Sequence, residues 1–434
     1  MKLTELKNKK ILIVGRGVEG QAVFEYLKKN LPDQVVDLVD KKDGENYLSS
    51  QRNYDIAVKS PGIKAELIEI PYTTATNIFF ANAKGKIVGV TGTKGKSTTS
   101  TLIYEILKQN GKDAYLGGNI GVSPLEFIDL LTDMSITVLE LSSFQLSDVK
   151  FSPHIAVMLM IAPEHLDYHV DIERYIEAKR NILRFQKEND FAIINSDYPP
   201  SRESDLLTDG KVYWIGVENQ LEQGCFVKDN GIYIRLSGGE KRVMEVDDIK
   251  IQGKHNLENA CAAILASMLA GADLKSTKSV LKSFKGLSYR LEYISTKKNV
   301  KYYNDSLATI PEATIGAIEA LGEDVQTLIA GGHDRGINYE ELGKYIATTN
   351  IKTLILFPET GKKIWDAVVK ETPESNRPQK FEVSSMKDAV RLASENTDPE
   401  KICLLSPAAS SFGIFKDYKD RGDQFRKEVE NLTN

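Results

Sequence analysis

The chain has 434 residues, 41% of them hydrophobic, and a formal net charge of −5. That length predicts about three domains with ordinary apolar cores, and the charge gives no general pull toward nucleic acid or anionic membrane. The three cysteines, Cys225, Cys261 and Cys403, are far apart and lack paired ligand spacing, which argues against a disulfide frame or a zinc site and suits a reducing compartment. The longest apolar run, 155–162, is too short to cross a bilayer, and Met1-Lys2-Leu3-Thr4-Glu5 opens no signal-peptide core. A cytoplasmic monomer acting on small molecules, with no nucleic-acid or membrane partner, is the expectation.

In chain order, residues 10–14 read as a strand and Gly15-Arg16-Gly17-Val18-Glu19-Gly20 as a turn. Residues 21–30 read as a helix and 35–39 as a second strand ending at Asp40. This is a Rossmann-like fingerprint, with an acid about 20 positions on that can accept from a ribose hydroxyl. Alone, it also fits an NAD-dependent oxidoreductase. A further strand at 56–58 runs into Ser60-Pro61-Gly62-Ile63. The first domain is expected to span 1–85.

A second phosphate loop follows. The apolar run Ile87-Val88-Gly89-Val90 leads into Thr91-Gly92-Thr93-Lys94-Gly95-Lys96-Ser97-Thr98, and residues 99–110 have a helical pattern. Strand, glycine-rich turn and helix make an anion cradle: backbone N–H groups face the phosphates, a lysine adds charge, and a hydroxyl can reach Mg²⁺. The usual loop has its first glycine five positions before the Gly-Lys pair. That position is Val90 here, and the spacing from Gly92 to Gly95 is tighter. An oxidoreductase reading leaves this loop unexplained.

Within a central domain at 86–287, strands are expected at 135–141, 154–161 and 191–195. Helices are expected at 171–189, from Asn256 to Leu269, and at 276–284, with β-hairpin material at 211–252. The last domain, 288–434, alternates strands at 301–303, 327–330, 353–356 and 402–405 with helices, and each strand ends in a polar or glycine-rich turn. In open α/β sheets, ligands gather beyond the carboxyl ends of strands. The fold class is therefore α/β in three domains: N-terminal Rossmann-like, central P-loop-type and C-terminal Rossmann-like.

Several side chains stand out against this frame. Glu140 closes a strand beside the phosphate loop, where a carboxylate can hold Mg²⁺. His165, Asp167 and His169 fall within a few residues of one another and suggest a metal or phosphate site, His165 ahead of His169. Lys179 has Ile172, Tyr175, Ile176, Ile182 and Leu183 at helical offsets, which puts it on the buried stripe. There it either snorkels to water or is a buried amine able to take up CO₂ as a carbamate. Asn256 is a natural N-cap, or it meets a nucleobase edge with Asn259, one turn away. Arg290, Asp305, His333, Asp334 and Arg335, with Ser410-Ser411-Phe412-Gly413, lie at strand starts or ends of the last domain, where Arg335 could grip a carboxylate.

These pieces, in this order, resemble the Mur ligases of peptidoglycan synthesis, and among them the branch that adds glutamate to UDP-N-acetylmuramoyl-L-alanine. The matching segments are Thr91 to Ser97, Gly117-Gly118-Asn119-Ile120-Gly121, Glu140-Leu141-Ser142-Ser143-Phe144-Gln145-Leu146, His165-Leu166-Asp167, Ala178-Lys179 and His255-Asn256 with Asn259. In the last third they are Tyr289-Arg290, Asn304-Asp305-Ser306, Ser406-Pro407-Ala408 and Asp420-Arg421-Gly422.

The resemblance implies an ATP-dependent, acyl-phosphate ligase with ATP and two Mg²⁺ sites. It implies that Gly92, Thr93, Lys94, Gly95, Lys96, Ser97 and Thr98 cradle the ATP phosphates, and that Asn256 and Asn259 meet adenine. Arg290 and Asp305 would reach phosphates and ribose. Ser97, Glu140, His165 and a carbamylated Lys179 would hold the metals, with Lys96, His165 and Lys179 catalytic. Val18, Glu19, Asp40, Ser60, Pro61, Gly62, Asn119, Gln145 and His165 would contact the UDP-sugar, with Arg16, Lys41 and Lys42 as extra cations near its diphosphate. Thr309, Arg335, Ser411 and Phe412 would form the glutamate pocket. That pocket departs from the usual pattern: Leu307 and Arg335 stand where lysine is common, and the acid often found after the serine is missing. D-glutamate is expected, with L-glutamate or another acidic amino acid as the alternative.

Overall fold

The structure, a computed structural model, describes all residues except 121, 163–165, 219–220, 238, 252, 335, 412 and 434, and omits the side chains of Leu166 and Asp167. Three sheets form, and the chain divides into two compact units, Met1–Phe284 and Lys285–Asn434.

The first unit opens with a parallel sheet of β1 (Ile11–Val14), β2 (Val36–Val39), β3 (Ile56–Lys59) and β4 (Tyr72–Thr73), in the order β2-β1-β3-β4. The helix Val18–Asn30 crosses from β1 to β2 and starts earlier than expected. Gly17 is its N-cap, so Val18 and Glu19 belong to its first turn and not to the loop. Gly20 makes this possible: a Cβ there would lie 1.8 Å from the Gly15 carbonyl oxygen. A side-chain-free position lets the helix settle directly on the strand-end turn.

The second sheet has nine strands: β5 (Lys86–Thr91), β6 (Ala114–Gly118), β7 (Ile136–Glu140), β8 (Ile155–Met158), β9 (Phe191–Asn195), β10 (Lys211–Gly216), β11 (Gly224–Lys228), β12 (Gly231–Leu236) and β13 (Gly239–Glu245). Their order is β13-β12-β11-β10-β9-β8-β5-β7-β6. Strands up to β11 pair in parallel, and β12 and β13 add antiparallel hairpins. The helix Lys96–Gln109 turns Leu102, Ile103, Ile106 and Leu107 into the core, each fully buried apolar side chain worth roughly 1.5–3 kcal/mol. The helix Lys254–Leu269 is buried continuously from Glu258 to Ser267; its small alanines let it approach both the sheet and the loop helix.

Two helix boundaries differ from expectation. The helix Ile172–Arg180 ends well short of 189: the backbone tightens into i to i+3 turns at Ile182 and Leu183, and the Ser152 hydroxyl captures the Phe185 N–H at 2.9 Å. Asn256 is not an N-cap; the helix starts at Lys254, with Gly253 (φ +97°) in that role and no side chain needed.

The second unit holds β14 (Glu292–Lys297), β15 (Val300–Asn304), β16 (Val325–Gly332), β17 (Thr353–Glu359), β18 (Gln379–Glu382) and β19 (Ile402–Leu405), ordered β14-β15-β19-β16-β17-β18. Only the β14–β15 pair is antiparallel. Apolar clusters lie on both faces of this sheet, as a parallel sheet covered by crossover helices requires.

Gly20→Ala should push the first helix off β1, because the added carbon meets backbone and not a movable side chain. A loss of roughly 1–3 kcal/mol is expected, the scale for overpacking, read as a lower urea midpoint.

Candidate active site

The phosphate loop joins β5 to the helix Lys96–Gln109. Gly95, the N-cap, has φ +87°, and a Cβ there would come within 2.2 Å of Asn259 Oδ1. The Thr93 N–H donates to the Met160 carbonyl at 2.7 Å, and its hydroxyl bridges Ala162 and the Tyr175 hydroxyl, each at 2.9 Å. The loop is therefore braced from three sides before any ligand arrives.

The two candidate lysines meet at one atom. Lys96 Nζ donates to the Gly92 carbonyl at 3.0 Å and to the Thr93 carbonyl at 2.9 Å, and Lys179 Nζ donates to the same Gly92 carbonyl at 2.8 Å. Lys179 does not snorkel. It is 1% exposed, and its nitrogen lies 4.7 Å from the centre of the Tyr175 ring. Tyr175, four residues earlier, is a site residue that sequence reasoning treated only as part of the apolar stripe.

Glu140 ends β7 in register with Val90 of β5, beside the start of the loop. Its Oε1 accepts from the Asn119 amide at 2.7 Å, while Oε2 is buried with no hydrogen-bond partner among the described residues. An orphaned carboxylate oxygen is costly unless something occupies it, and with the buried Ser97 hydroxyl it offers the hard oxygen donors that Mg²⁺ prefers. Among the described residues no three His, Cys, Asp or Glu side chains cluster as a metal site. His165 lies outside the described residues. His169 is buried, with its ring 3.0 Å from the Ser143 hydroxyl and packed against Phe144, Tyr168 and Tyr175, so it serves the core.

Of the expected nucleobase pair, Asn259 is turned inward. It is buried, accepts from the Thr99 hydroxyl at 3.2 Å and donates to Asn256 at 3.2 Å. Its place against Gly95 makes it a brace for the loop. Next to Asn256, burial and the Lys94 charge hold the His255 imidazole below its ordinary pKa.

The expected UDP-sugar residues fall in two groups. Glu19, Pro61, Gly62, Asn119 and Gln145 line one cleft, with Ser142 and Phe144 added. Gln145 donates to Glu19 Oε1 at 2.5 Å, and burial pushes the Glu19 carboxyl up. Ser60 lies behind the turn, its hydroxyl donating to the Gly15 carbonyl at 3.3 Å. Val18 is 72% exposed at the start of its helix. Asp40 is already engaged: its oxygens accept the Arg16 N–H at 2.7 Å and the Lys42 N–H at 3.0 Å, which holds its pKa low. The Arg16 guanidinium is bound to Asp43 at 2.8 and 3.0 Å and so is not an uncommitted cation for a diphosphate.

In the second unit, Asp305 is buried. Its oxygens accept from the Ser406 hydroxyl at 2.8 Å and the Leu291 N–H at 3.1 Å. It thereby fixes the turn in which Tyr289 and Leu291 have φ of +62° and +45° around the exposed Arg290. Arg421, at 0% exposure, ties two strand ends together through the Ser306 hydroxyl (3.0 Å), the Ser306 carbonyl (2.8 Å) and the Ala409 carbonyl (3.0 Å); burial lowers its pKa to about 9. Thr309 is half-buried and Ser411 buried, past the ends of the neighbouring strands β15 and β19. Arg335 and Phe412 lie outside the described residues.

Comparison with known proteins settles the family. Residues 90–267 match the Mur ligase middle domain, and 289–409 match the Mur ligase, glutamate ligase domain. The chain is 34% identical over 452 residues to the UDP-N-acetylmuramoylalanine--D-glutamate ligase of Clostridium tetani (strain Massachusetts / E88), covering 98% of this chain and 97% of that one.

The chain belongs to the Mur ligase family.

A second relative of the same name, from Symbiobacterium thermophilum, is 35% identical over 437 residues, 97% of this chain and 94% of its own. In fold, this Mur ligase is similar to the MurF ligase of Thermotoga maritima in complex with ADP (TM-score 0.54, 18% identity, 99% and 96% of the two chains). It is also similar to a pseudomurein peptide ligase type C from Methanothermus fervidus (TM-score 0.56, 17% identity, 98% and 100%). The family assignment leaves the oxidoreductase reading without support. Among the described residues, no helix of this Mur ligase is long and apolar enough to cross a membrane.

Burial pushes the Asp305 pKa up from 3.8 to about 7, against the opposing Ser406 and Leu291 hydrogen bonds and the Arg290 charge. The folded chain then holds a proton that the unfolded chain releases. This contribution to stability is full below about pH 4 and is lost as the pH rises to about 7. Asp305→Asn should flatten that part of the stability profile, a difference of at most roughly 4 kcal/mol, measured as urea midpoints across the window.

Proposed function

We propose that this chain is an ATP-dependent amide ligase that joins D-glutamate to UDP-N-acetylmuramoyl-L-alanine, a step of peptidoglycan precursor synthesis. The observation that carries the reading is the meeting of Lys96 and Lys179 on the Gly92 carbonyl, at the end of the strand next to Glu140. The Lys96 ammonium and a helix N-terminus at that turn make a site for a polyanion. The names of the full-length relatives supply the substrate class. We further assign the chain to the cytoplasm as a monomer.

The alanine carboxylate of the nucleotide sugar attacks the γ-phosphorus of ATP in line; the bond to ADP breaks and an acyl phosphate forms. The amine of glutamate then attacks the acyl carbon, inorganic phosphate leaves, and the nitrogen loses a proton as the amide forms. Neither step asks the protein for an acid–base pair so much as for held positions and opposed charge. Lys96 leaves the loop carbonyls to face the β- and γ-phosphates, and the loop N–H groups hold the same oxygens. Asn256 faces the base, with Arg290 assigned to the phosphates. Glu140 and Ser97, with His165, would hold Mg²⁺, which offsets the charge that grows on the transferring phosphoryl oxygens. The cleft of Glu19, Pro61, Gly62, Asn119 and Gln145 orients the sugar nucleotide, and Thr309, Arg335, Ser411 and Phe412 receive glutamate.

We assign a carbamate to Lys179. The ammonium first gives up a proton; the amine then adds to CO₂ with loss of a second, so that a cation becomes a carboxylate. That change removes the repulsion between two ammonium groups on one carbonyl and supplies oxygen donors of the kind Mg²⁺ takes.

Four measurements test this reading. Phosphate release with UDP-N-acetylmuramoyl-L-alanine and ATP should require D-glutamate; turnover with L-glutamate alone would overturn the substrate assignment. Lys96→Ala should lower turnover by about 10²–10³, the scale for one preorganised charge, and near-normal turnover would remove its role. Stripping CO₂ from the buffer should lower activity and bicarbonate should restore it. A carbamate carbon signal from labelled bicarbonate should appear in the parent and be missing in Lys179→Ala.

A further inference from the structure

The chain buries another lysine that the chemistry above does not use. Lys59 closes β3 and is 1% exposed. Its ammonium lies 2.8 Å from Asp148 Oδ2 and donates to the Ile63 carbonyl at 2.7 Å. The other oxygen of Asp148 accepts from the Tyr72 hydroxyl at 2.8 Å, and the Asp148 carbonyl accepts from the Asn77 amide at 2.8 Å.

The two ends of this ion pair belong to two walls of one cleft. Ile63 ends the turn that presents Pro61 and Gly62. Asp148 follows the helix Ser143–Leu146, which presents Phe144 and Gln145. Tyr168 reinforces the junction, its hydroxyl donating to the Pro61 carbonyl at 3.1 Å and its ring packed edge-on to Phe144 at 4.5 Å.

A buried ion pair is weak evidence for stability, because desolvation offsets most of its attraction and well-packed apolar replacements are often neutral. Its geometry is what it contributes. The ammonium can satisfy Asp148 and the Ile63 carbonyl together only when the turn and the helix hold one relative position. The Lys59 side chain is sealed from solvent, so it does not touch a ligand; it acts on the cleft through the walls, beside a lesser charge effect that lowers the Glu19 carboxyl.

We propose that Lys59, through its ion pair with Asp148, is a positioning residue for the sugar-nucleotide cleft, setting the Pro61–Gly62 wall against the Phe144–Gln145 wall. The identity of the cleft's ligand rests on the ligase reading above; the mechanical coupling of the two walls does not.

The test uses the paired substitution Lys59→Met with Asp148→Leu, which leaves no lone buried charge, and the near-isosteric Asp148→Asn as a milder variant. Hydrogen exchange should rise together at 60–64 and 142–148 and stay unchanged in the helix Lys96–Gln109. The KM for UDP-N-acetylmuramoyl-L-alanine should rise about tenfold, with kcat and the KM for ATP held within about twofold, since positioning acts on one substrate's binding. Exchange that rises in one segment only, or an unchanged KM in a folded variant, would overturn the proposal. A parent without turnover would defeat the ligase reading, and the exchange measurement would still decide whether the walls are coupled.

Discussion

Gly92 offers one carbonyl oxygen to two ammonium groups, and the organisation of the first unit depends on that contact. Lys96 reaches it from within its own loop and Lys179 from a helix some ninety residues on. Held on one carbonyl, the two side chains tie the phosphate loop and the helix Ile172–Arg180 to the same point. The surrounding contacts keep that point in place. Thr93 is pinned to Met160 and Ala162, Gly95 is backed by Asn259, and Tyr175 lies under the Lys179 nitrogen. A cradle held in place before its ligand arrives spends little binding energy on ordering itself, which is what a charge-stabilising site requires.

The same logic recurs at the other polar centres. Glu140 splits its oxygens, one satisfied by Asn119 and one with no hydrogen-bond partner among the described residues. Asp305 and Arg421 are buried ionisable groups held by neutral hydrogen-bond partners, and each fixes a turn at a strand's carboxyl end. In both units, costly buried polar groups are placed where a loop must keep one shape. The apolar clusters that fill the sheets have no such restriction and supply bulk stability.

Much of this was legible in the chain. The phosphate loop, the Rossmann-like opening and the alternation of the last third follow from local patterns of glycine, charge and apolar run, and they appear where read. That Lys179 stands on the buried stripe was legible because Ile172, Tyr175, Ile182 and Leu183 flank it at helical spacing; that its head stays buried and does not snorkel was decided by the fold. The strands that escaped notice are β4, β6, β14 and β18, all at sheet edges; β18, with sequence Gln-Lys-Phe-Glu and mostly exposed, has no apolar signature to find. The overlong helix past Arg180 was a failure of periodicity, because the apolar spacing continues after the backbone has been captured by Ser152.

By itself, the sequence determined which residue types stand at each turn and the period on which they repeat, and so the strand–loop–helix units and the anion-seeking character of the loop between Thr91 and Thr98. Tertiary structure alone decided which of those side chains remain available and which are spent. Asp40 is occupied by Arg16 and Lys42, Asn259 by Thr99, and Asp305 by Leu291 and Ser406, while Lys59 is given to Asp148. The physical reason is that periodicity is a local property of the backbone. A buried hydrogen bond or ion pair joins groups as much as 160 positions apart, and no spacing rule in the chain encodes that meeting.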